Sequence, residues 1–87
     1  MGNTVKIRLV KKLIAHDGDG LDGHWIPDNN LIEVNSSNCE DNQNATLWHE
    51  VTHAICDCIG EEEISKNERF VEAFGQALNQ VMKTLRY

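Results

Sequence analysis

Thr46-Leu47-Trp48-His49-Glu50-Val51-Thr52-His53-Ala54-Ile55 is the stretch on which the reading of this chain turns. It contains neither Gly nor Pro, and its apolar residues recur at helical spacing. At about 100° per residue, His49 and His53 stand one turn apart on a single helix face, so two imidazoles can grip one zinc ion. Glu50 lies beside them, off the ligand axis, where a carboxylate can take a proton from water that the metal activates. The plainer alternative is two surface histidines on an ordinary amphipathic helix.

Working outward, the helix is expected to run roughly from Asn42 to Ile59. Leu47, Val51, Ala54, Ile55 and Cys58 form its apolar stripe, with His49 and His53 pointing away from it. Asn38 or Asp41 would cap its start and Gly60 would stop it. Beyond an acidic loop, Glu61-Glu62-Glu63, the run Ser65-Lys66-Asn67-Glu68 fits a capping box. That box opens a second helix to about Leu85, with Phe70, Phe74, Leu78, Val81 and Leu85 as its buried stripe. Upstream, Val5, Ile7 and Leu9 alternate with Lys6 and Arg8, which predicts a half-buried strand within residues 4–14. His24-Trp25-Ile26 and Leu31 to Asn35 read as two more strands, joined by a turn at Pro27-Asp28-Asn29-Asn30. The loop from Ala15 to Gly23 contains Asp17-Gly18-Asp19-Gly20. A calcium loop of the EF-hand type would need Gly and Glu where Asp22 and Asp28 stand, so a flexible turn is expected. Strands followed by helices predict an α+β fold: a short N-terminal β-sheet, a motif helix and a C-terminal helix, in one domain spanning residues 1–87.

Eighty-seven residues leave room for one core. At 40% hydrophobic and 25% charged residues the composition is that of a globular chain, not a disordered one. The net charge of −6 argues against nucleic acid as a partner. The only basic group, Lys6, Arg8, Lys11 and Lys12, alternates with apolar residues as a solvated strand face does. No apolar run approaches the roughly 20 residues of a membrane span, and the N-terminus does not read as a signal peptide. No membrane association is therefore expected. Three cysteines, Cys39, Cys56 and Cys58, make no disulfide framework, and Cys56 and Cys58 diverge on a helix. A reducing cytoplasm is the expected location.

The His-Glu-x-x-His run and its uncharged flanks (Thr46, Leu47, Val51, Thr52, Ala54, Ile55) resemble those of the zincin metallopeptidases. The resemblance covers Thr46 to Leu78 and agrees only in kind with the N-terminal strands; it implies a minimal zincin-like version of the fold. Zincins that take a third His would need Gly at Cys56 and His at Ile59, so that class is excluded. Peptide deformylases use a Cys in an upstream setting that Cys39 lacks. What remains is similar to the gluzincins, including their small phage and bacterial members, in which a Glu on the next helix completes the site. Their second helix often reads Glu-x-x-x-Asp, and Glu68-Arg69-Phe70-Val71-Glu72 offers that spacing with Glu in place of Asp. Glu68 is favoured as metal ligand with Glu72 orienting a ligand His; the reverse assignment remains open.

The resemblance implies zinc-dependent hydrolysis of a peptide or protein substrate. Zinc would be held by His49, His53 and Glu68, with Glu50 as general base and an edge strand, here Leu31 to Asn35, pairing with substrate. Two other classes stay open: a metal-stabilised regulatory or binding module without turnover, and a metal-free acidic interaction partner. His16 and His24 are more often solvated than catalytic at such positions. Tyr87 is a weak oxyanion donor at a terminus, and Trp25 and Trp48 read as packing or cleft-rim residues. A latent form, with Lys83 to Tyr87 lying in the cleft, is a further possibility.

Overall fold

Three strands line up in the order β1 (Lys6–Val10), β3 (Leu31–Asn35), β2 (Gly23–Ile26). The computed structural model describes residues 4–11, 13 and 20–85. The expectations for Ala15 to Asp19, including His16, and for Tyr87 lie outside them. β3 pairs with β1 in parallel and with β2 antiparallel. Pairing on both sides makes it the central strand, which accounts for its burial: Ile32 is fully buried and Val34 nearly so. The expectation that Leu31 to Asn35 is a free edge is therefore corrected. The strand edge beside the motif helix is β2. Between β2 and β3 the chain turns through a short 3-10 segment, Pro27–Asn29, closed by Asn30 in the left-handed conformation.

The motif helix α1 spans Glu40–Cys58. It begins two residues before the expected Asn42, and Cys39 stands at its N-cap with no side-chain bond, in place of Asn38 or Asp41. Two acids in its first turn, Glu40 and Asp41, favour the early start through the helix dipole. Gly60, at φ 77°, follows its end in the left-handed region. The expected acidic loop instead forms a single turn, α2 (Glu62–Ser65). The last helix α3 (Glu68–Thr84) is capped by Asn67, whose side chain accepts from the Phe70 amide at 3.1 Å. Ser65 is thus not the cap; its hydroxyl is engaged elsewhere.

α1 is packed on two faces. Ala54 is buried, with Leu47 and Val51 partly buried, against Ile32, Val34 and Trp25 of the sheet. Thr52 and Cys56 are buried on the side that faces α3. Ile55 and Cys58, expected in the buried stripe, are exposed; with Val5, Ile7 and Ile32 they line an open apolar groove between α1 and the sheet. Trp25 ties β2 to α1 by donating its Nε1 hydrogen to Asp57 at 2.6 Å. α3 departs further from expectation. It meets α1 through Val71 and Gly75, its only fully buried positions, while Phe70, Phe74, Val81 and Leu85 remain 40–51% exposed. The reason is steric: at Gly75 the helix backbones come so close that a Cβ there would sit 3.0 Å from His49 Cα. Among the described residues no helix is long and apolar enough to cross a membrane.

Candidate metal centre

The two packed helices run antiparallel, as the contact between Lys83 near the end of α3 and Asp41 at the start of α1 indicates (3.8 Å). This brings the first turns of α3 alongside the middle of α1. His49 and His53 stack edge to face, with ring centroids 5.1 Å apart. Glu68 Oε2 lies 3.7 Å from His49 Nε2, and Glu68 Oε1 lies 3.7 Å from His53 Nε2. One donor atom from each of the three residues falls within 4.8 Å of the other two.

Those separations have a chemical meaning. At 3.7 Å the carboxylate and the ring nitrogens are too far apart for hydrogen bonds. Bonds of about 2.0–2.2 Å in a tetrahedron place neighbouring donors roughly 3.4 Å apart, so small movements bring all three onto one ion. The remaining ring nitrogens are already engaged. His49 Nδ1 sits 3.0 Å from Glu72 Oε2, and His53 Nδ1 sits 2.9 Å from Ser65 Oγ. A carboxylate can only accept, so His49 donates its Nδ1 hydrogen to Glu72; in the neutral ring that tautomer makes Nε2, which faces Glu68, the metal-binding nitrogen. The Ser65 hydroxyl can accept from His53 Nδ1, the arrangement that frees Nε2 of the second ring to bind a metal. The group His49, His53 and Glu68 can therefore hold a metal ion, with Glu72 and Ser65 behind the histidines. The imidazoles are 23% and 18% exposed and Glu68 is 71% exposed, so the cluster opens to solvent on the carboxylate side.

Glu50, next to His49, lines a cleft of about 460 Å³ together with Asp22, Gly23, Thr46 and Glu72. Burial raises the Glu50 carboxyl above its ordinary value, an effect that His49, His53 and His24 oppose and Glu68 reinforces. Gly23 sets the width of this cleft, because a Cβ there would meet Thr46 Cγ2 at 2.5 Å. β2 can thus lie directly against the motif helix. On the sheet, His24 lies on β2, the strand expected for it. Its Nε2 lies 2.7 Å from Glu33 Oε1, and Arg8 Nε donates to Glu33 Oε2 at 2.9 Å. These two partners hold the Glu33 carboxyl below its ordinary value, His24 contributing most.

Three residues that shape the site were not singled out from the sequence in these roles. Ser65 looked like a cap, and only the extra turn of α2 turns it toward His53. Gly23 read as the end of a loop. Gly75 did leave a signal: a lone Gly inside a helical pattern costs about 1 kcal/mol relative to Ala, and such a cost usually has a packing reason. Comparison with protein-family models, curated proteins and solved structures gives no match.

Proposed function

We propose that this chain is a minimal zinc-dependent metallopeptidase of the gluzincin kind. The observation that carries the reading is the orientation of the two imidazoles. Both present Nε2 to one carboxylate, while their Nδ1 atoms are held by Glu72 and Ser65. Two neutral nitrogens and one carboxylate suit zinc, whereas calcium and magnesium prefer oxygen alone. Bound there, zinc would acidify water and polarise a peptide carbonyl.

The chain's own groups divide the remaining work. His49, His53 and Glu68 are the ligands. Glu72 and Ser65 hold the rings in the productive tautomer and orientation. Glu50 takes a proton from the attacking water and delivers it to the departing amine nitrogen; its raised pKa suits a group that must both accept and release a proton. A peptide would lie along the β2 edge above the cleft, pairing its backbone with the strand as an added member of the sheet. Three free cysteines, Cys39, Cys56 and Cys58, fit a reducing cytoplasm.

Glu50→Gln tests the assignment. It should retain zinc at wild-type affinity and lose peptide cleavage by several orders of magnitude; unchanged cleavage removes Glu50 from the role. The competing reading, a zinc-stapled binding module, is favoured by the small size of the domain. It would be selected by zinc-dependent stability without cleavage of a broad peptide library.

A further inference from the structure

Phe70, Phe74, Val81 and Leu85 are the strongest periodic signal in the C-terminal half of the chain, yet they are 40%, 42%, 51% and 50% exposed. They recur at steps of three and four once Ala77 and Leu78 are counted, which is the spacing of a helix-pairing seam. Within the fold, α3 spends its contact with α1 on Val71 and Gly75. Glu68 and Glu72 flank that contact on the side of the histidines, and the Phe70–Leu85 stripe flanks it on the other. On α1, Ile55 and Ile59 are also 38% and 59% exposed, but Ile55 lines a groove with Val5 and Ile7 and is not part of this face. Four large apolar side chains on one exposed helix face give a partner surface something to pack against.

We propose that this face binds a second copy of the chain, through an antiparallel pairing of α3 with the partner's α3. Two features of the helix point to a copy of itself. The apolar pattern reads the same in both directions about the Ala77–Leu78 peptide. In that alignment Phe70 meets the partner's Leu85, Phe74 meets the partner's Val81, and Ala77 meets the partner's Leu78. Each contact then occurs twice, as a two-fold interface requires. The second feature is charge. The chain holds 14 acidic residues against 8 basic ones, so most pairings of like surfaces would repel. Both acids of α3, Glu68 and Glu72, sit on the histidine side, and the seam itself carries none. It is a surface on which two copies of an acidic protein can meet without opposing carboxylates.

The size of the seam sets its strength. Seventeen residues make a helix about 25 Å long. A strip of that length and about 10 Å width falls short of the roughly 800 Å² per partner of a standard interface. The dimer is therefore weak and concentration-dependent. Its formation leaves the metal centre open on the opposite flank, so it does not depend on a bound metal.

Sedimentation equilibrium over a wide concentration range, on metal-free and zinc-loaded protein, tests this. The wild type should pass from monomer to dimer in both states. Phe74→Lys and Val81→Glu should each weaken association at least tenfold with unchanged far-ultraviolet circular dichroism, since both positions are exposed in the monomer. The combined variant Phe74→Lys/Val81→Glu should recover dimerisation, because antiparallel alignment sets the two introduced charges opposite one another and parallel alignment does not. A wild type that stays monomeric up to its solubility limit overturns the proposal. So do single variants that associate as well as the wild type, or a combined variant that stays monomeric.

Discussion

Replacing Gly75 with Ala separates the packing of α3 from its propensity to be helical. The added Cβ would lie 3.0 Å from His49 Cα, 3.1 Å from His49 N and 3.4 Å from Trp48 C. Ordinary contact begins near 3.4 Å, and all three neighbours belong to a helix backbone that cannot rotate away. α3 must therefore shift by about 0.4 Å at the level of His49, one turn from Glu72 and two from Glu68. Metal–ligand distances tolerate about 0.2 Å, so the carboxylate no longer meets both imidazoles without strain. Disturbing the groups behind a ligand typically costs 10–100-fold in affinity, and a loss of about that size is expected for zinc. On stability, overpacking of about 1–3 kcal/mol works against a gain of about 1 kcal/mol from the better helix former, leaving the metal-free variant equal or weaker. Competition with a chromophoric chelator measures the first quantity and thermal melting in EDTA the second. A Gly75→Ala protein that binds zinc as tightly as the wild type and melts higher by the full helix-propensity gain would refute the close approach of α3 to α1.

Other perturbations probe the rest of the account. Zinc at 100 times its dissociation constant should stabilise the protein by about 2.7 kcal/mol, a rise in melting temperature of roughly 10–20 °C for a domain of this size, reversed by EDTA in differential scanning fluorimetry. Ser65→Ala should weaken zinc binding by about tenfold and Ser65→Thr should restore it, whereas Ala binding as well as Ser would show that the 2.9 Å contact does not orient His53. Glu68→Ala should cost more zinc affinity than Glu72→Ala in isothermal titration, since the first removes the proposed ligand and the second only the partner of His49 Nδ1. The Glu33 carboxyl is held below its ordinary value of 4.5 by His24 and Arg8. The unfolded chain therefore takes up that proton first as pH falls, so the contribution of Glu33 is complete above about pH 4.5 and lost below it. Glu33→Gln should lower stability by about 1–2 kcal/mol at neutral pH and flatten the acid limb of the melting profile below pH 4.5; an unchanged acid limb would remove Glu33 from the network.

The α+β architecture was legible because each element advertised a different period. Val5, Ile7 and Leu9 alternate, and the residues around His49 and His53 repeat at helical spacing. The pairing of His49 with His53 was legible from helical geometry; a Glu from the next helix was implied only by the resemblance to gluzincins, and the fold brings Glu68 within 3.7 Å of both imidazoles. Strand order was not. Leu31 to Asn35 is central because β1 returns in parallel on its far side, a pairing between segments distant in sequence that no local pattern records. The packing of α3 is not written in its periodicity. The apolar stripe from Phe70 to Leu85 predicts the face turned to the core, but a single small residue, Gly75, decides the closest approach, and two carboxylates reach the histidines only if that face is used. The role of Ser65 was hidden because it depends on one turn of helix, α2, inside a run of acids that reads as a loop.

The central claim is that His49, His53 and Glu68 share one metal ion. An anomalous difference map at the zinc absorption edge, from crystals of tag-free protein grown with excess zinc, tests it most directly. The account expects one strong peak about 2.0–2.2 Å from His49 Nε2, His53 Nε2 and a Glu68 oxygen, with Glu72 still on His49 Nδ1. No peak between the two imidazoles, or a peak bonded to Glu72 with Glu68 turned away to solvent, would contradict it.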